Sequence, residues 1–387
     1  DWQKQEDAFL SQLTAIDSHT LKGLPAEQTY WLLKSNLENT QRARVCEEPL
    51  WAVDSLGGWH NQLSLLAVLQ PVGTPEARAA ALKRWKTFDV VANQEIEKLK
   101  EGLLKGYSSP KPVVERVITQ VRSMLAVPPE ESPFFTFAKQ DADQAFQAEM
   151  RLVIEQVVNP ALTKYLNYLL EDYFPKAREA IGVSALPEGE RCYQAKVLQY
   201  STLDIPGKDI HGYGLSHMET LAQEVAEIGQ KTVNETQISA VFSKAKEQSR
   251  HFFHSEQDIL NYNQAALDRM EAKIPDWFGI IPKAKAMMKP YPLALAETGA
   301  IAQYWPPSED GTRPGAFYIN TYDPENQSRL DFEATLFHEL VPGHHFQVAL
   351  SYEQGGHHSV EKYLWTSGFG EGWALYTERL ADEMEVY

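Results

Sequence analysis

Cysteine is almost absent: Cys46 and Cys192 are the only two among 387 residues. Two cysteines build neither a disulfide scaffold nor a thiolate metal cluster, and the sequence leaves open whether they pair or stay free. Long apolar runs are missing too. No stretch of about 18 apolar residues occurs, so no segment reads as a membrane-spanning helix. Positive charge is in deficit, with 36 Lys and Arg against 53 Asp and Glu and a formal net charge of −17. An acidic surface of this kind repels phosphate backbones and argues against a nucleic-acid partner. Internal repeats and low-complexity linkers are also lacking. What is present suffices for a packed core: hydrophobic residues are 43% of the chain and aromatic residues 11% of it, which excludes whole-chain disorder. The sequence opens at Asp1 with no basic or apolar leader, which reads as a mature or trimmed product. It stops at Tyr387 directly after a helical pattern without a stop signal, so further C-terminal sequence is expected.

The pattern along the chain is helical. Leu10, Leu13 and Ile16 recur at helical spacing, and the segment from Pro75 to Leu104 is long, charged and periodic. Pro112–Leu125 reads as a helix closed by Pro128 and Pro129. In Gln144–Tyr173 an apolar stripe through Leu152, Val153, Leu162, Tyr165 and Leu169 predicts a helix that Pro160 kinks or splits. These stripes, with Trp373 and Tyr376 further on, are expected to pack in the core. Cys192-Tyr193 suggests a short strand. Helical pattern returns near Ser216 and across Asn234–Ala272, and Ile274–Pro292 is proline-punctuated and irregular. Ala302–Trp305 and Ala316–Asn320 are aromatic and β-branched around a turn-rich loop, Pro306–Gly315, and read as two short strands. The expected architecture is mainly α, with a small β-sheet. It forms one continuous body over residues 1–387, with a helical lobe at 1–200 and a second lobe at 201–387.

The chemistry concentrates at His338-Glu339-Leu340-Val341-Pro342-Gly343-His344-His345. A His-Glu pair with a second His one turn on places two imidazoles and a carboxylate on one face, the arrangement of zinc ligands and general base. Here Pro342 stands where that second His belongs. On an ideal helix a residue seven further on lies about 10.5 Å along the axis, too far for both nitrogens to reach one ion at ~2.0–2.1 Å. The helix must therefore be irregular, and Pro342 and Gly343 supply the means. A two-residue bulge puts His344 in the ligand position and points His345 elsewhere; His345 remains the alternate. Glu371, framed by Gly370 and Gly372, is the third ligand, and Glu378 lies two turns on as a carboxylate able to orient a histidine. His211 and the pair His357-His358 read as turn residues.

These stretches, together with Pro306–Gly315 and Glu371–Tyr376, resemble the bacterial family called domain of unknown function 885. That family is itself similar to the gluzincin metallopeptidases, among them carboxypeptidase Taq, thimet oligopeptidase and angiotensin-converting enzyme. The resemblance covers most of residues 100–387. It implies a multi-helix, cleft-bearing fold and an export or lipoprotein signal outside the given sequence. The location expected is exported, periplasmic or lipid-anchored, with the cytoplasm as alternative.

The expected function is zinc-dependent peptide hydrolysis. His338, His344 and Glu371 hold Zn²⁺, Glu339 is the general base, and Tyr318 donates to the oxyanion. Arg313 and His345 are expected to contact the peptide substrate. Two alternatives stand beside it: a non-catalytic peptide-binding protein on the same scaffold, and a zinc hydrolase of non-peptide amides or esters.

Overall fold

A computed structural model describes residues 2–248, 251–291, 296, 300–308, 312–355 and 358–387. Pro292, Glu309–Gly311 and His357, each part of an expectation above, lie outside the described residues. Among the described residues the chain is mainly α-helical with one three-stranded sheet. It gathers into two compact units, Asp1–Ala43 with Gln194–Tyr387, and Arg44–Tyr193. The expectation is one continuous body with lobes at 1–200 and 201–387; in the structure the first 43 residues group with the later part of the chain. The reason is a long-range contact: α2 (Pro25–Ala43), which follows α1 (Trp2–Thr14), packs on the 3-10 turn Ser359–Tyr363, where Gln28 donates to Glu361 at 3.4 Å. α1 itself buries no residue, so its apolar stripe is not core.

The unit Arg44–Tyr193 is helical. It holds α3 (Trp59–Leu69), α4 (Pro75–Trp85), α5 (Phe88–Leu104), α6 (Lys111–Ala126), the single turn α7 (Thr136–Lys139), α8 (Gln144–Val153) and α9 (Asn159–Tyr168). The expected single helix from Pro75 to Leu104 is two, broken at Lys86-Thr87, where Trp85 and Phe88 turn inward against Phe134 and Phe137. Each fully buried aromatic of this set contributes about 1.5–3 kcal/mol. Pro160 does not split its helix. A π-turn at Ile154–Val158 widens the ladder just before it, and a second follows at Leu169–Tyr173. A π-turn re-spaces the carbonyls, so the missing proline N–H leaves a continuous helix. Cys46 and Cys192 form a disulfide, and Cys192 lies in α10 (Gly189–Ser201), not in a strand.

The second unit adds α11 (Gly207–Thr232), α12 (Ile238–Lys246), α13 (Glu256–Trp277), α14 (Phe332–Glu339), α15 (His344–Glu353) and α16 (Ser367–Glu383). Its strands are β1 (Ala286–Pro290), β2 (Ala302–Trp305) and β3 (Gly315–Ile319), in the order β1-β3-β2. β2 and β3 are the two expected strands. β1 lies in the stretch expected to be irregular, yet it runs parallel to β3 from Ala286 opposite Gly315 to Pro290 opposite Ile319. Proline is tolerated because β1 is an edge strand. Phe317 and Ile319 of β3 pack with Met270, Leu336, Phe337 and Phe346 in one core. That core fixes α14 and α15 against the sheet.

Candidate metal centre

α14 brings His338 and Glu339 to the end of a helix that then stops. Leu340 leaves helical dihedrals at φ −108°, ψ −95°, and Pro342 follows through a cis peptide bond. α15 begins at His344. The expected two-residue bulge within one helix is therefore a full break between two helices. The break is tight: a Cβ on Gly343 would lie 1.8 Å from the carbonyl oxygen of His338, so only glycine fits. Several carbonyls around it find partners. The amide of Phe346 donates to Leu340, the Trp373 indole donates to Pro342 at 2.9 Å, and the Thr377 hydroxyl donates to Phe337 at 3.1 Å. Trp373 and Thr377 both come from α16. Trp373 is thus a partly buried bracing residue, and Tyr376 is exposed, where both were expected in the core.

The break turns His344 back onto His338. Their rings meet edge to face with centroids 4.8 Å apart. Oε2 of Glu371 lies 3.5 Å from Nε2 of His338 and 3.5 Å from Nε2 of His344. Ligand atoms of the three residues all lie within 4.8 Å of one another. Two atoms bound to a tetrahedral zinc at ~2.0–2.1 Å are about 3.3–3.4 Å apart, so the histidine–carboxylate separations fit such an ion. The donor set, two imidazoles and a carboxylate, fits zinc as well. Glu378 completes the arrangement. Its Oε1 accepts from Nδ1 of His338 at 2.8 Å, which leaves Nε2 free to bind an ion. Glu378 thus serves His338 and not His345. Nδ1 of His344 is buried without a partner among the described residues, and the Trp365 ring packs edgewise on that imidazole at 5.7 Å. Gly370 makes this possible, since a Cβ there would meet the Trp365 ring at 2.2 Å. The glycine frame around Glu371 therefore serves Trp365 through Gly370, while Gly372 faces open space.

Electrostatics sort the groups. The Glu378 hydrogen bond holds the His338 pKa above the usual imidazole range, against a smaller opposing effect of burial. Burial holds that of His344 below it. Burial pushes the Glu339 carboxyl up, partly offset by His338 and by the Tyr304 amide, which donates to Oε2 of Glu339 at 3.1 Å. Glu339 is thus a fixed, partly buried carboxylate beside the three-residue cluster.

The remaining candidates are placed elsewhere. His345 is buried, with Nδ1 3.1 Å from the Tyr304 hydroxyl and Nε2 3.0 Å from the Ala284 carbonyl. Both ring nitrogens are engaged inside the protein, where a substrate contact was expected. Tyr318 lies on β3 between the rings of Trp305 at 5.0 Å and Tyr291 at 6.0 Å, and its hydroxyl makes no hydrogen bond among the described residues. Arg313 is exposed in the β2–β3 loop, which closes through Ser308 Oγ accepting from the Arg313 amide at 2.8 Å. Its charge reaches the Tyr318 phenol, whose pKa burial raises and Arg313 lowers. His211 sits exposed on α11. Two residues escaped the sequence reading. Tyr304 holds Glu339 through its amide and His345 through its hydroxyl; its place in the β2 strand pattern was the available signal. Tyr291 has a phenol raised first by burial and then by the charge of Glu339, and no sequence pattern marks it.

The fold and the site together define a mainly helical protein with a His-His-Glu cluster held between a helix break and a facing helix. Residues 1–387 match the model of a family described as bacterial protein of unknown function, DUF885, and the chain belongs to that family. Two solved structures share the fold. One is a protein of Colwellia psychrerythraea provisionally assigned as a lipoprotein, with TM-score 0.84, 20% identity, and 99% of this chain and 70% of that chain covered. The other, from Shewanella oneidensis, is a provisionally assigned lipoprotein of unknown function, with TM-score 0.61, 15% identity and coverage of 99% and 70%. No curated protein matches the sequence. Among the described residues no helix is long and apolar enough to cross a membrane.

Proposed function

We propose that this protein is a zinc-dependent peptide hydrolase with a gluzincin-like site. The observation that supports it is the convergence of Nε2 of His338, Nε2 of His344 and Oε2 of Glu371, with Glu339 adjacent. His338, His344 and Glu371 would hold the ion, and Glu378 keeps His338 in the tautomer that presents Nε2. Zinc bound there supplies a Lewis acid that acidifies water and polarises a carbonyl. Glu339 takes the proton of the attacking water as the C–O bond forms. It delivers that proton to the amine nitrogen as the C–N bond breaks. The Tyr304 amide fixes one oxygen of Glu339 and leaves the other for this transfer. Tyr318 as oxyanion donor and Arg313 as a carboxylate contact belong to this reading, each requiring substrate to meet it.

The test is hydrolysis of a peptide library before and after a chelator, with zinc then restored. Activity should vanish and return. Glu339→Gln should retain zinc by metal analysis and lose turnover by ~10²–10⁴-fold. Hydrolysis indifferent to chelator would end the proposal, and zinc and peptide binding without turnover would leave the binding-protein alternative. We also propose an exported, lipid-anchored location. The Cys46–Cys192 disulfide supports it, since such bonds persist in oxidising compartments, as does the lipoprotein assignment of both structural neighbours. Fractionation of cells producing the natural full-length protein checks it, with recovery in the cytosol as the contrary result.

A further inference from the structure

A cavity of about 850 Å³ lies in the same unit as the cluster, lined among others by Phe278, Leu350, Trp365, Phe369 and Trp373. Its volume falls within the ~300–1,000 Å³ of sites that bind small organic groups. We propose that this cavity takes a large apolar side chain of a bound peptide, with the amide next to that side chain recognised by Gln347; the inference rests on the peptide-hydrolase reading above.

Three observations carry it. First, the cavity shares a wall with the cluster, although His338, His344 and Glu371 do not themselves line it. Gln347 and Ser351 line it and lie three and seven residues beyond His344 on α15, about one and two turns along one helix face. Trp365 is a shared wall, since it lines the cavity and packs on the His344 ring at 5.7 Å. Trp373, two residues after Glu371, lines it too, and its indole N–H is already given to Pro342. Second, the walls are aromatic and aliphatic, which favours an apolar guest through area removed from water. Third, Gln347 is unsatisfied. Both Oε1 and Nε2 are buried without a partner among the described residues, although the side chain borders the cavity, so a rotation of the side chain is what would present the amide to a guest. A buried amide lacking both a donor and an acceptor is costly. A peptide bond offers the matching pair, one N–H and one C=O. A purely aliphatic ligand would leave the Gln347 amide unpaired, and a carboxylate would satisfy only its N–H₂.

The inference is tested by calorimetric titration of blocked tripeptides, with central phenylalanine or central aspartate, into the Glu339→Gln protein, where turnover does not intervene. The phenylalanine peptide should bind at least tenfold tighter than the aspartate peptide. Gln347→Leu, which keeps the volume and removes the amide, should weaken it by about tenfold, and Ser351→Trp, which fills the cavity from an exposed position, should abolish the preference. Thermal melts establish that both variants are folded. Equal binding of the two peptides, or a phenylalanine preference untouched by both variants, overturns the inference even if zinc-dependent hydrolysis is found. Repeating the titration in chelator separates it from the functional reading. Side-chain preference that survives there, in a protein that hydrolyses nothing, keeps the cavity assignment and condemns the hydrolase.

Discussion

Glu378 makes one hydrogen bond that decides what His338 can do. With Nδ1–H donated to the carboxylate, Nε2 carries the lone pair toward Glu371 and His344. Glu378→Gln keeps the shape but loses the charge and allows the amide to present its N–H₂ to the ring. Zinc affinity, measured by competition with a chromophoric chelator, should fall about 10–100-fold, and an unchanged affinity would show that another group orients the imidazole. His345 shows the opposite fate of a neighbouring residue of the same type. One position along, its ring enters the space beneath Gly315, where a Cβ would lie 2.9 Å from its Nδ1. There it ties β2 to the segment before β1 through Tyr304 and Ala284.

At the scale of elements, the break between α14 and α15 separates these two histidines. His344→Ala should abolish zinc binding, with a loss exceeding that of the Glu378 variant. His345→Ala should leave zinc bound but cost about 2–4 kcal/mol in urea unfolding, because the Tyr304 hydroxyl and the Ala284 carbonyl lose a buried partner. Zinc lost only with His345→Ala would contradict the register seen here. That register was partly legible beforehand. The wrong spacing, with Pro342 and Gly343 inside it, already required an irregular turn and favoured His344. That the turn is a complete break was not legible, because it is closed by Trp373 and Thr377, some thirty residues later in the chain. The same limit applied to the sheet. β2 and β3 carry aromatic and β-branched runs, whereas β1 is a strand through its parallel pairing with β3, which no local turn announces. The three-residue cluster was readable because its residue types are rare in combination. Tyr304 and Tyr291 were not, because what matters is a backbone amide in one and proximity in the other.

At the scale of the molecule, pH should act on the unit Arg44–Tyr193 through His60. This histidine is fully buried, Nε2 donates to Gln120 Oε1 at 3.1 Å, and Nδ1 has no partner among the described residues. Burial depresses its pKa, with Gln120 and the charge of Asp54 opposing. The folded form holds the neutral ring and the unfolded form the ordinary one, with pKa about 6.5. The contribution to stability is therefore complete above that value and is lost as pH falls through it toward the lower folded pKa. His344 and His345, also depressed by burial, act in the same direction from the other unit. Urea midpoints between pH 8 and 5 should thus fall for the natural protein and fall less for His60→Gln. Parallel curves would assign the loss elsewhere. The carboxylate of Asp141, held below the usual range chiefly by its hydrogen bond to Arg78 and lying 2.7 Å from it, contributes separately and only at lower pH. Its stabilisation is present above about pH 4 and lost on further acidification.

Trp373 to Pro342, Thr377 to Phe337 and Glu378 to His338 are three clasps between α16 and the chain around the helix break. None of them passes through an ion. If the proposed centre does bind zinc, these clasps should assemble it before the metal arrives, so that loading resembles filling a mould more than folding around a nucleus. In this respect it differs from a zinc finger, whose chain collapses only when metal arrives. Exhaustive dialysis against chelator should leave the helical circular-dichroism spectrum and a cooperative melt intact. Added zinc should then raise the melting temperature only by mass action, about 2.7 kcal/mol at a hundredfold excess over Kd. A chelated protein that melts without cooperativity would mean that the clasps are too weak to hold α14, α15 and α16 together on their own. If they do hold, ions can be exchanged at this centre many times within the lifetime of one folded molecule.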